Sequence, residues 1–109
     1  MSRAKGNLAE DKACQLLYDN GFAIVERNFY SRFGEIDIIA LKDEVLHFVE
    51  VKSGLDYESA IQNITCSKLN KFIKTIHVYM KKNGLDVDFM IDAIIVTPHN
   101  IEMVENITL

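Results

Sequence analysis

Three charged side chains interrupt two apolar runs in GEIDIIALKDEVLHFVEVK, residues 34–52: Asp37 in the first, Glu50 and Lys52 in the second. Ionised groups are costly in strands that face a core unless they are paired or hold a metal. Strand alternation puts Glu35, Asp37 and Ile39 on one face, opposite Ile36, Ile38 and Ala40. In the second run Phe48, Glu50 and Lys52 share a face, opposite Val49 and Val51. Pairing of the runs across Lys42-Asp43-Glu44 would bring Asp37 beside Glu50 and Lys52. Adjacent carboxylates repel, which favours a cation between them; hard oxygen ligands select Mg²⁺ or Mn²⁺. Lys52 would then adjoin the ion's water shell, placed to orient an attacking water or to steady charge developing on phosphorus. The competing reading is a solvated acid–lysine pair, which contributes little. The apolar neighbours of Asp37 and Glu50 argue for central strands rather than such a periphery.

These residues need elements to position them. Residues 3–20 carry Leu8, Ala9, Ala13, Cys14, Leu16 and Leu17 at helical spacing, and Asn20-Gly21 supplies a stop. A strand is expected over 22–30, then a turn from Ser31 to Gly34 and a hairpin of strands 35–41 and 45–52. A loop over 54–59 leads to a second helix over 58–83. Its stripe is Ile61, Ile64, Thr65, Leu69, Phe72, Ile73, Ile76, Tyr79 and Met80, and Asn83-Gly84 ends it. A strand over 86–96, a turn at Pro98-His99-Asn100 and a further edge strand in IEMVENITL complete the chain. The order αβββαβ, with that added strand, predicts an α/β fold: a mixed sheet flanked by helices.

The chain of 109 residues is expected to form a single domain, 1–109, with 49% apolar and 26% charged residues. No apolar run approaches the roughly 20 residues that span a bilayer, and no signal core opens the sequence, so a cytoplasmic protein without a membrane partner is expected. Cys14 and Cys66 fall on the apolar sides of the two helices and read as small hydrophobes. His47, His77 and His99 have no ligand spacing, and nothing supports a Ser- or Cys-His-acid arrangement. Net charge is −4, which argues against a protein that coats nucleic acid. Yet no acid lies between Glu58 and Asp86, where Lys68, Lys71, Lys74, Lys81 and Lys82 occur, so a local basic face remains compatible.

GEIDIIA, a turn and FVEVK resemble the signature of the bacterial UPF0102 (YraN-like) family, with Ala9-Glu10, Ala13, Gly21, Arg27-Asn28 and Lys68 in matching places. That family is assigned by fold to the PD-(D/E)XK nucleases, which include Holliday junction resolvases. The resemblance implies a restriction-endonuclease-like sheet and a Mg²⁺- or Mn²⁺-dependent endonuclease that hydrolyses DNA phosphodiester bonds, branched or damaged DNA included. Asp37, Glu50 and the Val51 main-chain carbonyl would ligate the ion, Glu10 would complete the site through a water, and Lys52 would help activate the attacking water. Lys68, Arg32 and Lys71 are the candidate contacts to nucleic acid, DNA ahead of RNA, and related resolvases suggest a homodimer. For Glu10 an exposed acid near a helix N-terminus is the other reading, for Lys68 a solvated lysine, and for Asp92 a structural acid. The chain departs from the family where Ser53-Gly54 follows VEVK, where Met90-Ile91 precedes Asp92 and at Tyr30, each a place that lacks a basic side chain. The alternative function is an accessory nucleic-acid-binding protein with a nuclease-like fold and little or no turnover.

Overall fold

In a computed structural model that describes residues 2–107, and side chains from Leu8 onward, five strands form one open mixed sheet. Helix α1 (Ser2–Asp19) precedes β1 (Ala23–Ser31), β2 (Gly34–Lys42) and β3 (Val45–Ser53), which pair antiparallel in sequence order. The chain then crosses through α2 (Tyr57–Ile61) and α3 (Cys66–Lys82) to β4 (Phe89–Val96), which lies parallel to β3. Strand β5 (Ile101–Val104) closes the order antiparallel to β4. The mixed α/β sheet with flanking helices is the expected fold. Among the described residues no helix is long and apolar enough to cross a membrane.

Each sheet face buries one stripe. On one side Ala9, Ala13 and Leu17 of α1 pack on Ile38, Ala40, Val49 and Ile94. On the other, Phe72, Ile76, Tyr79 and Met80 of α3 pack on Phe29, Ile36, Ile39, Phe48 and Ile91. Both helices stop at the expected Asn-Gly pairs. Gly21 (φ 88°) and Gly84 (φ 63°) take the left-handed conformation, which glycine adopts without a Cβ clash. Backbone bonds from Phe22 to Leu17 and from Leu85 to Met80 then cap the last turns. The β2–β3 hairpin turns through Asp43 and Glu44, both at positive φ, a two-residue connection whose twist matches the strands.

Several expectations shift. The helix expected over 58–83 is two, because Thr65 caps a new start: its side chain accepts from the Lys68 N–H at 3.2 Å. Thr65 and Cys66 are therefore exposed at a helix beginning, not part of an apolar stripe. Leu8 is 56% exposed, one step off the α1 face that buries Ala9. The strand expected from residue 86 starts at Phe89. Beyond Val104 the chain leaves the ladder, and the N–H groups of Asn106 and Ile107 bond Asp92 and Ile91 instead. Thr108 and Leu109, expected in the edge strand, lie outside the described residues.

Candidate functional site

Asp37 marks the point where regular alternation fails. Ile36 and Ile39 face α3, whereas Ile38 and Ala40 face α1, so the strict two-face assignment of β2 holds only from Ile38 onward. Two local features account for this. On β1, Asn28 (φ 55°) adopts the left-handed region between the pairs Arg27↔Ile38 and Phe29↔Ile36, which twists the edge opposite Asp37. On the other side the β2–β3 ladder ends at Ile38↔Val49. Where the next backbone pair would form, the Asp37 side chain takes over: its Oδ2 accepts the Val51 N–H at 2.7 Å. A strand residue turns its N–H and carbonyl to the same neighbour, so the Val51 carbonyl faces this opening too.

Asp37 is buried (9% exposed). Burial first, then the charge of Glu50, with smaller pushes from Glu10 and Glu35, raises its pKa to about 8, against a lowering by the Val51 N–H. Oδ1 of Asp37 has no hydrogen-bond donor among the described residues. Glu50 and Lys52 do share a face with Phe48, and they pair with each other, Nζ to Oε1 at 3.0 Å. They line a small hollow of about 30 Å³ with Asn63, Ile64, Lys68 and Phe72. Lys68 is thus at the site's rim, while Lys71 and Arg32 lie further along the α3 side and outside it.

Glu10 reaches the group from α1, but its carboxylate is engaged elsewhere. Asn28 Nδ2 donates to its Oε1 at 2.8 Å and to Glu35 Oε2 at 3.3 Å. Arg27 stands 3.6 Å from Glu10 and 2.9 Å from Asp11. Among the described residues no three acid, histidine or cysteine side chains converge closely enough to hold an ion as they stand. The donor set nonetheless fits a hard cation: four carboxylates share one end of the sheet, and one buried acid has an oxygen without a donor.

Sequence reasoning missed Asn28 as the bridge between Glu10 and Glu35; nothing in its spacing signals that role. It also missed that Asp92 partners His47. Asp92 is fully buried with Oδ2 2.6 Å from His47 Nδ1, and Oδ1 accepts the Asn106 N–H at 2.8 Å. That pair joins residues far apart in sequence through the parallel β3–β4 ladder. It makes Asp92 a structural acid, engaged with His47 and Asn106.

Residues 9–96 match the family described as "Uncharacterised protein family UPF0102". A UPF0102 protein of Sulfurimonas denitrificans is 72% identical over 109 residues, all of both chains. One of Aliarcobacter butzleri is 50% identical over 110 residues, again the full length of both. One of Helicobacter pylori is 57% identical over 106 residues, covering 97% of this chain and 92% of its own. With a family match across most of the chain and full-length relatives at this identity, the protein belongs to the UPF0102 family.

Proposed function

We propose that this protein is a Mg²⁺- or Mn²⁺-dependent endonuclease of the PD-(D/E)XK type that hydrolyses DNA phosphodiester bonds, with branched or damaged DNA as its substrates. The observation that carries the reading is Asp37: a buried carboxyl crowded by Glu50, Glu10 and Glu35, with a free oxygen and a lysine two residues past Glu50. As a purely structural arrangement it repels itself; around a divalent cation it is balanced. Asp37, Glu50 and the Val51 carbonyl would hold the ion, with Glu10 bound to it through a water. A bound ion of this kind supplies positive charge to the phosphoryl oxygens and acidity to a water. The chain's own residues supply the rest. Asp37 is held through Oδ2 by the Val51 N–H, which leaves Oδ1 for the ion. Lys52, released from Glu50 once that carboxylate is otherwise engaged, offers an ammonium to orient the water and to steady charge on the phosphate.

One observation favours a second reading, an accessory DNA-binding protein with slow or no turnover: Glu10 is already held by Asn28 and Arg27. Cleavage assays on linear, nicked, flapped and four-way DNA separate the two. The nuclease reading expects Mg²⁺-dependent cleavage of at least one substrate, reduced about 10²–10³-fold by Lys52→Ala. Absence of metal-dependent, Lys52-dependent cleavage on all four would sink it in favour of the accessory reading.

A further inference from the structure

Outside the carboxylate group the most uneven surface is α3. It carries five lysines and no acid. Lys68, Lys71 and Lys74 are exposed and follow one another at three-residue intervals, so they drift slowly around one side of the helix. A helix face meant only for solvent gains from acids interleaved at such spacings, and like charges three apart repel. Among the described residues no carboxylate comes within 4.0 Å of any of the three, nor of Arg32. Three other cations are occupied: Arg27 by Glu10 and Asp11, Lys52 by Glu50, and Lys42 by the Asn20 carbonyl. Among the described residues Lys12 and Lys81 share the lack of a carboxylate but stand outside the row.

The β1–β2 turn adds to this row and is fastened to it. Ser31 Oγ lies 2.9 Å from Thr75 Oγ1, the Thr75 hydroxyl donates to the Lys71 carbonyl at 3.1 Å, and the Phe33 N–H donates to Ser31 Oγ at 3.0 Å. Phe33 is thereby placed between two cations, with the Arg32 guanidinium 4.8 Å and Lys74 Nζ 5.5 Å from its ring centre. The turn holds Arg32 and Lys74 together despite their like charge. At the other end of the row Lys68 borders the hollow that holds Glu50 and Lys52. From Lys68 to Lys74 the helix rises about 9 Å, between two and three phosphate steps along one DNA strand at about 3.4 Å each.

We propose that Lys68, Lys71, Lys74 and Arg32, with Phe33 as the aromatic brace, form a track that binds the phosphate backbone of duplex DNA and leads it to Glu50 and Lys52. The assignment rests on the DNA reading above, but not on turnover. It also resolves an apparent conflict, because a protein of net charge −4 presents its phosphate contacts on a single local strip.

Fluorescence anisotropy with a short labelled DNA duplex in EDTA, over about 50–200 mM salt, tests the track without cleavage. The Arg32→Gln/Lys71→Gln/Lys74→Gln variant is expected to bind at least tenfold more weakly, with the salt slope reduced by about 2–3. Lys71→Gln alone, whose side chain holds no other part of the fold, should reduce the slope by about 1. Lys81→Gln/Lys82→Gln should stay within about twofold of wild type. Both lie in the last turn of α3, at the end away from the hollow, and Lys82 Nζ stands 5.6 Å from the Phe29 ring centre rather than in the row. Equal weakening by the two sets of substitutions overturns the track, as do unchanged binding in the triple variant, no duplex binding by wild type, and binding only to an RNA duplex. Duplex binding that depends on the track, without any Lys52-dependent cleavage, would sustain the track and remove the nuclease reading. Cleavage with track-independent binding would do the opposite.

Discussion

Asp37 and Asp92 are both buried acids on neighbouring regions of one sheet, yet they are accommodated in opposite ways. Asp92, at 0% exposure, has a donor for each oxygen: His47 Nδ1 for one, the Asn106 N–H for the other. Its carboxyl also does a structural task, tying the segment after β5 back onto β4. Asp37 has a donor for one oxygen only and is surrounded by three further acids. Buried polar groups in a stable interior are satisfied. No buried side-chain oxygen among the described residues lacks a partner, so the Asp37 oxygen without a donor is the one that reaches the surface, and the contrast marks Asp37 as the acid with room for a further ligand.

The largest expected effect falls on the satisfied member. Asp92→Ala takes the acceptor from the His47 imidazole, whose side chain is 12% exposed, and from the Asn106 N–H, and the loss of these two hydrogen bonds costs about 3 kcal/mol. Thermal unfolding should fall by on the order of 15 °C. A loss below about 1 kcal/mol would mean that Asp92 is not the tie it resembles.

The opposite sign is expected at Asp37. Its carboxyl binds a proton up to about pH 8 in the folded chain, against 3.8 as its ordinary value. Between those values the folded state holds the extra proton, so stability falls as pH rises and the penalty is complete above about pH 8. Asp37→Asn keeps an oxygen to accept the Val51 N–H and removes the charge. At pH 9 without metal it should stabilise the fold by on the order of 2 kcal/mol, less than the full shift because the neighbouring acids titrate with Asp37. The gain should shrink towards pH 4. Mg²⁺ at ten times its dissociation constant should then stabilise wild type by about 1.4 kcal/mol and leave Asp37→Asn unmoved. Equal shifts with Mg²⁺ in both proteins would break the metal assignment.

How much of this was legible in the chain follows from the range of each interaction. The strands, the hairpin and both helix stops were readable, because apolar periodicity and Asn-Gly pairs act within a few residues. Asp37, Glu50 and Lys52 were readable for the same reason: a charge inside an apolar run is a local anomaly. The break at Thr65 was hidden because one hydroxyl cap overrode a continuous apolar stripe. The exchange of faces at Ile36 and Ile38 was hidden because it depends on Asn28, across the sheet, adopting a left-handed backbone. His47 with Asp92 needed the parallel register of β3 and β4, which no local pattern encodes.

Thr75 gives the smallest and sharpest test of the comparison. It is as inaccessible as Asp92, but neutral, and its hydroxyl is fully used between Ser31 Oγ and the Lys71 carbonyl. Thr75→Val keeps the shape and removes both bonds. The Lys71 carbonyl belongs to a helix, and Ser31 is only half-buried and still accepts from Phe33, so neither is left stranded as His47 would be. The expected cost is about 1 kcal/mol, or about 5 °C in thermal unfolding, well short of Asp92→Ala. A loss equal to that of Asp92→Ala would mean that burial alone, rather than the partners left without an acceptor, sets the cost at these positions. The intermediate value instead ranks the three buried polar groups by what each leaves behind: an imidazole and a backbone N–H without their acceptor at Asp92, a pair of rescued neutral groups at Thr75, and at Asp37 a repulsion removed.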